Sequence, residues 1–158
     1  MDLDVITRIA ATLAVLGTAV VYGTDVFCAI VLRPALAAVD NDALVVITGL
    51  IHKFGDKRMP VPGVLGVLAG AVSAVLAASS GHGPQAIAAG VAVILLLAWL
   101  TIYTRVSAPI NRQLTASAIG GEHLSNGHAL QGNWDRVINA RAALQGIAVT
   151  ALCVALAI

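Results

Sequence analysis

The sequence predicts an all-α protein: a four-transmembrane-helix bundle with a short interfacial helix in the first cytoplasmic loop. Three observations carry this expectation. Hydrophobic residues fill 59 % of the 158 positions and charged residues only 11 %, against about 45–50 % and about 25 % in a soluble domain. The mean hydropathy is +0.92. The apolar residues gather in four stretches, each near the roughly 20 residues a helix needs to cross a hydrocarbon core. This composition excludes a water-soluble globule. It also excludes disorder, which requires low hydrophobicity and high charge. The net charge of +1 argues against nucleic acid as a partner. The length suits one integral membrane domain over 1–158.

The spans are expected at about 9–32, 61–78, 86–107 and 137–157. Breakers separate them: Pro34, Pro60 and Pro62, then Gly81-His82-Gly83-Pro84, then Pro109. The first span is too long for a cleaved leader, and no small-residue cleavage site follows it. In the loop after it, Asp40-Asn41-Asp42 reads as a helix start and Ala43 to Phe54 as a short apolar helix. Gly55 leaves its continuation to Asp56 open. The second span carries Gly63, Gly66, Gly70, Ser73 and Ala77 at helical spacing, a stripe that permits close helix packing. The segment Gln113 to Gln131, rich in small and polar residues, reads as a lid or a mobile loop. The fourth helix is expected to start near Asn133, a capping residue, with Asp135 suited to the positive helix end.

Four spans place both termini on one side. Of the nine Lys and Arg residues, only Arg8 lies near that side. The positive-inside rule therefore predicts a multi-pass plasma-membrane protein with external termini and cytoplasmic loops 33–60 and 108–136. Cys28 and Cys153 fall near opposite ends of their spans, too far apart for a disulfide. They read as two buried thiols.

The polar chemistry concentrates toward the cytoplasmic loops. All six aromatics lie in that half, with His52, His123, His128 and six of the eight acids. Interfacial anchoring explains part of this; a ligand pocket explains the His, acids and aromatics together. Asp25 lies about seven residues before the end of its span, roughly 10 Å below the boundary. A bare carboxylate there is costly, so a partner is expected. Arg141, about two turns into the fourth helix, is the first candidate and Arg105 the second. The pair reads either as a structural ion pair or as a proton-handling or substrate-orienting site. Thr18, Tyr22 and Asp25 share a face, as do Trp134, Arg141 and Gln145, with Asn139 nearby. His52 and Asp56, four apart, form a base pair of the kind that tunes an imidazole if the helix continues. His52, Asp56, Glu122, His123 and His128 are the candidate metal ligands, but no pair has a recognised ligand spacing. No His lies inside a span to hold a haem. Neither metal nor cofactor is expected.

Several boxes along the chain resemble the anthrone oxygenase-like family, also known as domain-of-unknown-function family 1772. They are Val31-Leu32-Arg33-Pro34-Ala35-Leu36, the stretch from His52 through Asp56 to Met59-Pro60, Pro109-Ile110-Asn111-Arg112, and Trp134 followed by Arg141. Members often carry a His or Asn between that Trp and Arg. Here Ile138 holds the matching position and Asn139 follows. The resemblance implies a four-helix membrane protein. Some members oxidise anthrones to anthraquinones with molecular oxygen and without a cofactor.

Three function classes follow. The favoured one is a small accessory or ligand-holding subunit, with a lipid or an aromatic, quinone-like ligand, set in the bilayer with a larger complex or with copies of itself. The alternative is a cofactor-independent oxygenase of an anthrone-like phenol. In it His52, Asp56 or Asp25 is the base, and Arg105 and Arg141 with Asn111 hold the oxyanion. Tyr22, Trp99, Tyr103, Trp134 and Asn139 complete its substrate contacts. The second alternative is a proton-coupled small transporter using Asp25.

Overall fold

The computed structural model describes residues 2–121 and 123–158, and these are helical apart from short turns, with no strand among them. The helices are α1 (Leu3–Phe27), α2 (Arg33–Ala37), α3 (Asn41–Arg58), α4 (Pro60–Ser79), α5 (Gly83–Ile102), α6 (Ala108–Gly120) and α7 (Gly127–Ala157). Two π-helical turns, π1 (Cys28–Leu32) and π2 (Tyr103–Ser107), join α1 to α2 and α5 to α6. Four helical runs are long and apolar enough to span a membrane: Leu3–Ala37, Pro60–Ser79, Gly83–Gly120 and Gly127–Ala157. Their outward faces carry exposed side chains such as Leu16, Leu68, Val75 and Ile94, which suits a lipid-embedded protein.

The prolines explain the π turns. A helical proline donates no N–H, and its ring collides with the carbonyl four residues back. At Pro34 and Pro109 the chain does not break. It widens by one residue just upstream, so that Arg33 N–H reaches Cys28 O and Ala108 N–H reaches Tyr103 O. These are i to i−5 bonds, the mark of a π turn. Each proline then sits in the first turn of the next helix, where its missing N–H is tolerated.

This corrects the expected loop 108–136. Helix continues past Pro109 to Gly120 and ends at Gly121, whose φ of 68° makes the left-handed cap. Helix resumes at Gly127, so Asn133 and Asp135 lie inside α7 and neither caps it. The expected lid 113–131 is therefore mostly helix. The first loop follows its expected start. Asp40 caps α3, its Oδ1 accepting from Ala43 N–H at 2.8 Å, and α3 runs through Gly55 to Arg58. Both cysteines are free thiols; Cys28 is half-buried and Cys153 exposed.

The chain divides into two compact units. The first comprises Met1–Gly23, Pro60–Trp99 and Ala143–Ile158. Its core is Ala14, Ala92, Leu96, Ala148 and Leu152. Small residues let α1 and α4 touch backbone to backbone. A Cβ on Gly17 would stand 2.6 Å from Pro62 O and 2.8 Å from Gly66 N. Gly66, Gly70, Ser73 and Ala77 of the small-residue stripe are buried.

The second unit comprises Thr24–Met59 and Leu100–Ala142. Its core is Leu36, Leu44, Val45, Ile110, Leu114, Trp134 and Ile138. Here α3 packs along α6. They approach closely at Gly49, where a Cβ would meet Leu114 O at 2.5 Å, and Thr115 Oγ1 donates to Gly49 O at 3.2 Å. The Asn41 side chain holds the segment before α7, donating to Leu124 O at 2.7 Å and accepting from His128 N–H at 3.2 Å.

Gly17→Ala should destabilise the protein by about 1–3 kcal/mol, because two backbones must separate. Gly90→Ala, with nothing within 4 Å of its added Cβ, should be neutral or stabilising by up to about 1 kcal/mol. Thermal unfolding of both variants in one detergent checks the contrast.

Candidate functional site

The second unit contains one concentrated polar centre, and Arg141 is its hub. Both Asp25 and Arg141 are buried, at 3 % and 4 % exposure. Arg141 Nη2 donates to Asp25 Oδ1 at 2.8 Å, and Nη1 donates to Ser107 Oγ at 2.7 Å. The guanidinium carbon stands 5.5 Å from the Tyr103 ring centre and 5.2 Å from that of Trp134. Both lie within cation–π range. Charge, hydrogen bonds and aromatic faces thus all converge on one side chain. The π2 turn supplies two of these contacts, Tyr103 and Ser107, from adjacent turns.

A second cluster shares Tyr103. Its hydroxyl donates to Asp56 Oδ1 at 2.9 Å. The same oxygen accepts from Asn111 Nδ2 at 3.0 Å. One turn earlier on α3, the His52 ring lies 5.9 Å from Trp134, tilted by 46°. His52 and Asp56 face the same way because α3 continues through Gly55.

Burial pushes the His52 imidazole down to about 4; nearby Asp56 opposes the shift and Arg141 adds to it. The ring is therefore neutral at neutral pH. So low a value makes it a weak base, poorly matched to abstracting a carbon-bound proton. Arg141 is balanced by Asp25, and Asp56 is the second acid of the centre. Three buried polar atoms of the centre have no hydrogen-bond partner among the described residues: His52 Nε2, Asn111 Oδ1 and Trp134 Nε1. Buried polar groups are nearly always satisfied, by protein or by water, so these atoms are open to a water or to the polar group of a ligand.

The structure brings together Asp25, His52, Asp56, Tyr103, Asn111, Trp134 and Arg141. It does not bring in Arg105 or Asn139, both exposed. Arg105 lies two residues from both Tyr103 and Ser107, so a helical turn carries it away from the face they share. At the next helix the inward position belongs to Ile138, fully buried in the core, which leaves Asn139 outside. Tyr22 and Trp99 belong to the first unit. There Trp99 packs over Gly63, and Tyr22 against Gly146. Of the histidines weighed for a metal, His123 Nδ1 lies 3.1 Å from Asp42 Oδ1 and His128 is exposed. Glu122 lies outside the described residues. No three His, Cys, Asp or Glu side chains gather as a metal site among the described residues.

Two residues escaped the sequence reading. Ser107 is completely buried at the end of π2. Its signal was the spacing of four from Tyr103, hidden among apolar neighbours. Gln131, 6 % exposed, donates to Asp135 Oδ1 at 2.9 Å. It fell in the segment expected to be a loop.

Breaking the ion pair from one side should be severe. Asp25→Leu leaves Arg141 buried and unbalanced, which costs about 3–5 kcal/mol. The double variant Asp25→Leu/Arg141→Met should recover most of this in thermal unfolding. Acid should also weaken the fold through His52. Its folded value lies below the ordinary 6.5, so between about 6.5 and 4 the unfolded chain binds a proton that the folded chain does not. Stability is then fully present above about 6.5 and lost as pH falls toward about 4, by up to about 3 kcal/mol. Unfolding across this window should be less pH-dependent in His52→Phe than in the wild type.

No family model matches the chain, and neither the curated proteins nor the solved structures contain a match to it.

Proposed function

We propose that the protein is a small multi-pass membrane protein that holds a neutral lipid-like or quinone-type ligand, the polar end of that ligand meeting the Arg141 centre. The observation that carries this reading is the set of unpartnered buried atoms: Trp134 Nε1, Asn111 Oδ1 and His52 Nε2. Trp134 Nε1 offers a donor and Asn111 Oδ1 an acceptor, the complement of a carbonyl or hydroxyl head. The charges support a neutral ligand. Asp25 already balances Arg141, and Asp56 repels an anion. The aromatic walls of Tyr103 and Trp134 suit an apolar ring.

The oxygenase reading suggested by the family resemblance uses many of the same residues. It asks in addition for a competent base: His52 is a weak one, Asp25 is paired with Arg141, and Asp56 Oδ1 already accepts from Tyr103 and Asn111. Ligand holding needs no base, so it is preferred. In the same reading α3 lies along the membrane surface. The distribution of Lys and Arg supports cytoplasmic placement of the connections 33–60 and 108–136, with external termini.

Native mass spectrometry in mild detergent, with released small molecules identified, tests the proposal. The wild-type protein should carry a neutral aromatic or quinone-type compound, or take up a short-chain ubiquinone analogue. Trp134→Phe removes one donor, about 1–2 kcal/mol, and should weaken retention roughly tenfold. Equal retention by both proteins, or only bulk phospholipid bound, overturns it.

A further inference from the structure

Helix α3 has two unlike faces. Val45, Thr48, Gly49, His52 and Asp56 lie toward one side, where the core and the polar centre are. The opposite side carries Val46, Ile47, Leu50, Ile51 and Phe54, each between 39 % and 49 % exposed. Their spacing of one, three and four makes a continuous apolar stripe along the helix. An exposed stripe of this length marks an interaction surface. Yet α3 is not one of the four runs long and apolar enough to span a membrane.

The charges on α3 are segregated along its length. Asp40 and Asp42 stand at its start, and Asp42 meets His123. Lys53, Lys57 and Arg58 stand at its end. Two of these cations stand against the Phe54 ring, with Lys53 Nζ at 5.8 Å and Arg58 Cζ at 5.1 Å from its centre. No carboxylate among the described residues makes an ion pair with any of the three. The nearest acid along the helix, Asp56, has an oxygen engaged by Tyr103 and Asn111. Three cations thus stand at the end of an apolar stripe, two of them against its aromatic ring.

We infer that the outer face of α3 binds the anionic headgroups of the surrounding lipid, the apolar stripe entering the acyl boundary and Lys53, Lys57 and Arg58 meeting the phosphates. The inference rests on the interfacial placement of α3 and adds its lipid class. The chemistry is that of amphipathic interfacial helices: apolar burial gives depth, and basic side chains select negative headgroups. Long Lys and Arg stems reach outward while their methylenes cover apolar surface. A second copy of the chain is a poorer fit, because the acids it would offer from the far end of its own α3, Asp40 and Asp42, are already engaged by Ala43 N–H and by His123.

The experiment uses the full chain and separates depth from headgroup choice. For depth, a spin label at Leu50→Cys in a Cys28→Ala/Cys153→Ala background is read in nanodiscs of phosphatidylcholine with phosphatidylglycerol. Its accessibility to oxygen against a water-soluble nickel chelate reports whether the stripe lies in lipid. For headgroup, native mass spectrometry compares retention of the two lipids from an equimolar mixture. The wild type should retain phosphatidylglycerol in preference. The triple variant Lys53→Gln/Lys57→Gln/Arg58→Gln should lose that preference by about tenfold or more, while Arg136→Gln, at an exposed basic site on α7, keeps it. A lipid-exposed label with unchanged preference in the triple variant overturns the anionic assignment and leaves the interfacial placement standing. A water-exposed label overturns both. Spin–spin broadening that grows with protein concentration assigns the stripe to a second copy, and also overturns the proposal.

Discussion

The second unit is organised around one buried ion pair, Asp25 with Arg141. Removing either charge from water is expensive, and attraction between the two offsets that only when geometry and hydrogen bonding are good. The pair at 2.8 Å meets this condition with help. Ser107 takes a second guanidinium N–H, and Tyr103 and Trp134 offer ring faces. Each helper comes from a stated helical position, so satisfying Arg141 fixes the register of α1, π2 and α7 within this unit. A slip of one residue in any of them would leave a buried charge unanswered. The network specifies the arrangement even where its net contribution to stability is small.

The π2 turn is how the chain meets that demand. Pro109 forbids an ordinary helical bond to Arg105 O, and the helix widens over Tyr103–Ser107 instead of ending. This keeps Tyr103 and Ser107 on the face of Arg141 while α6 resumes and packs on α3. On that continuation Asn111 reaches Asp56. The same proline thus shapes both halves of the polar centre, since Tyr103 touches Arg141 and Asp56 alike. A straight α-helix through this region would offer a different set of side chains to the guanidinium.

The sequence made some of this visible and concealed the rest for physical reasons. The four apolar runs, the Asp40 cap and the depth match between Asp25 and Arg141 all follow from local composition and a count of residues per turn. Arg105 looked nearly as good a partner by depth. What separates the two is helix phase, and a π turn shifts that phase in a way a 3.6-residue count misses. The segment around 113–131 read as loop because its residues are small and polar. It is mostly helix because its buried face, with Leu114 and Ser117, packs on α3 at Gly49. Tertiary packing overrides weak local preference there. Asn139 failed for a simpler reason: one residue is 100° on a helix, and the core claimed Ile138.

Helix α3 joins the two chemical themes of the second unit. Its inner side places His52 and Asp56 in the polar centre, and its outer side presents apolar and basic residues to its surroundings. A rigid helix cannot rotate one face without rotating the other. Whatever fixes the outer face therefore also fixes the angle at which His52 meets Trp134 and Asp56 meets Tyr103. Conversely, a ligand that engages Trp134 Nε1 or His52 Nε2 biases the orientation of α3 against its surroundings. Binding at the centre and the seating of α3 are then linked by one rigid element, and coupling between them must act in both directions.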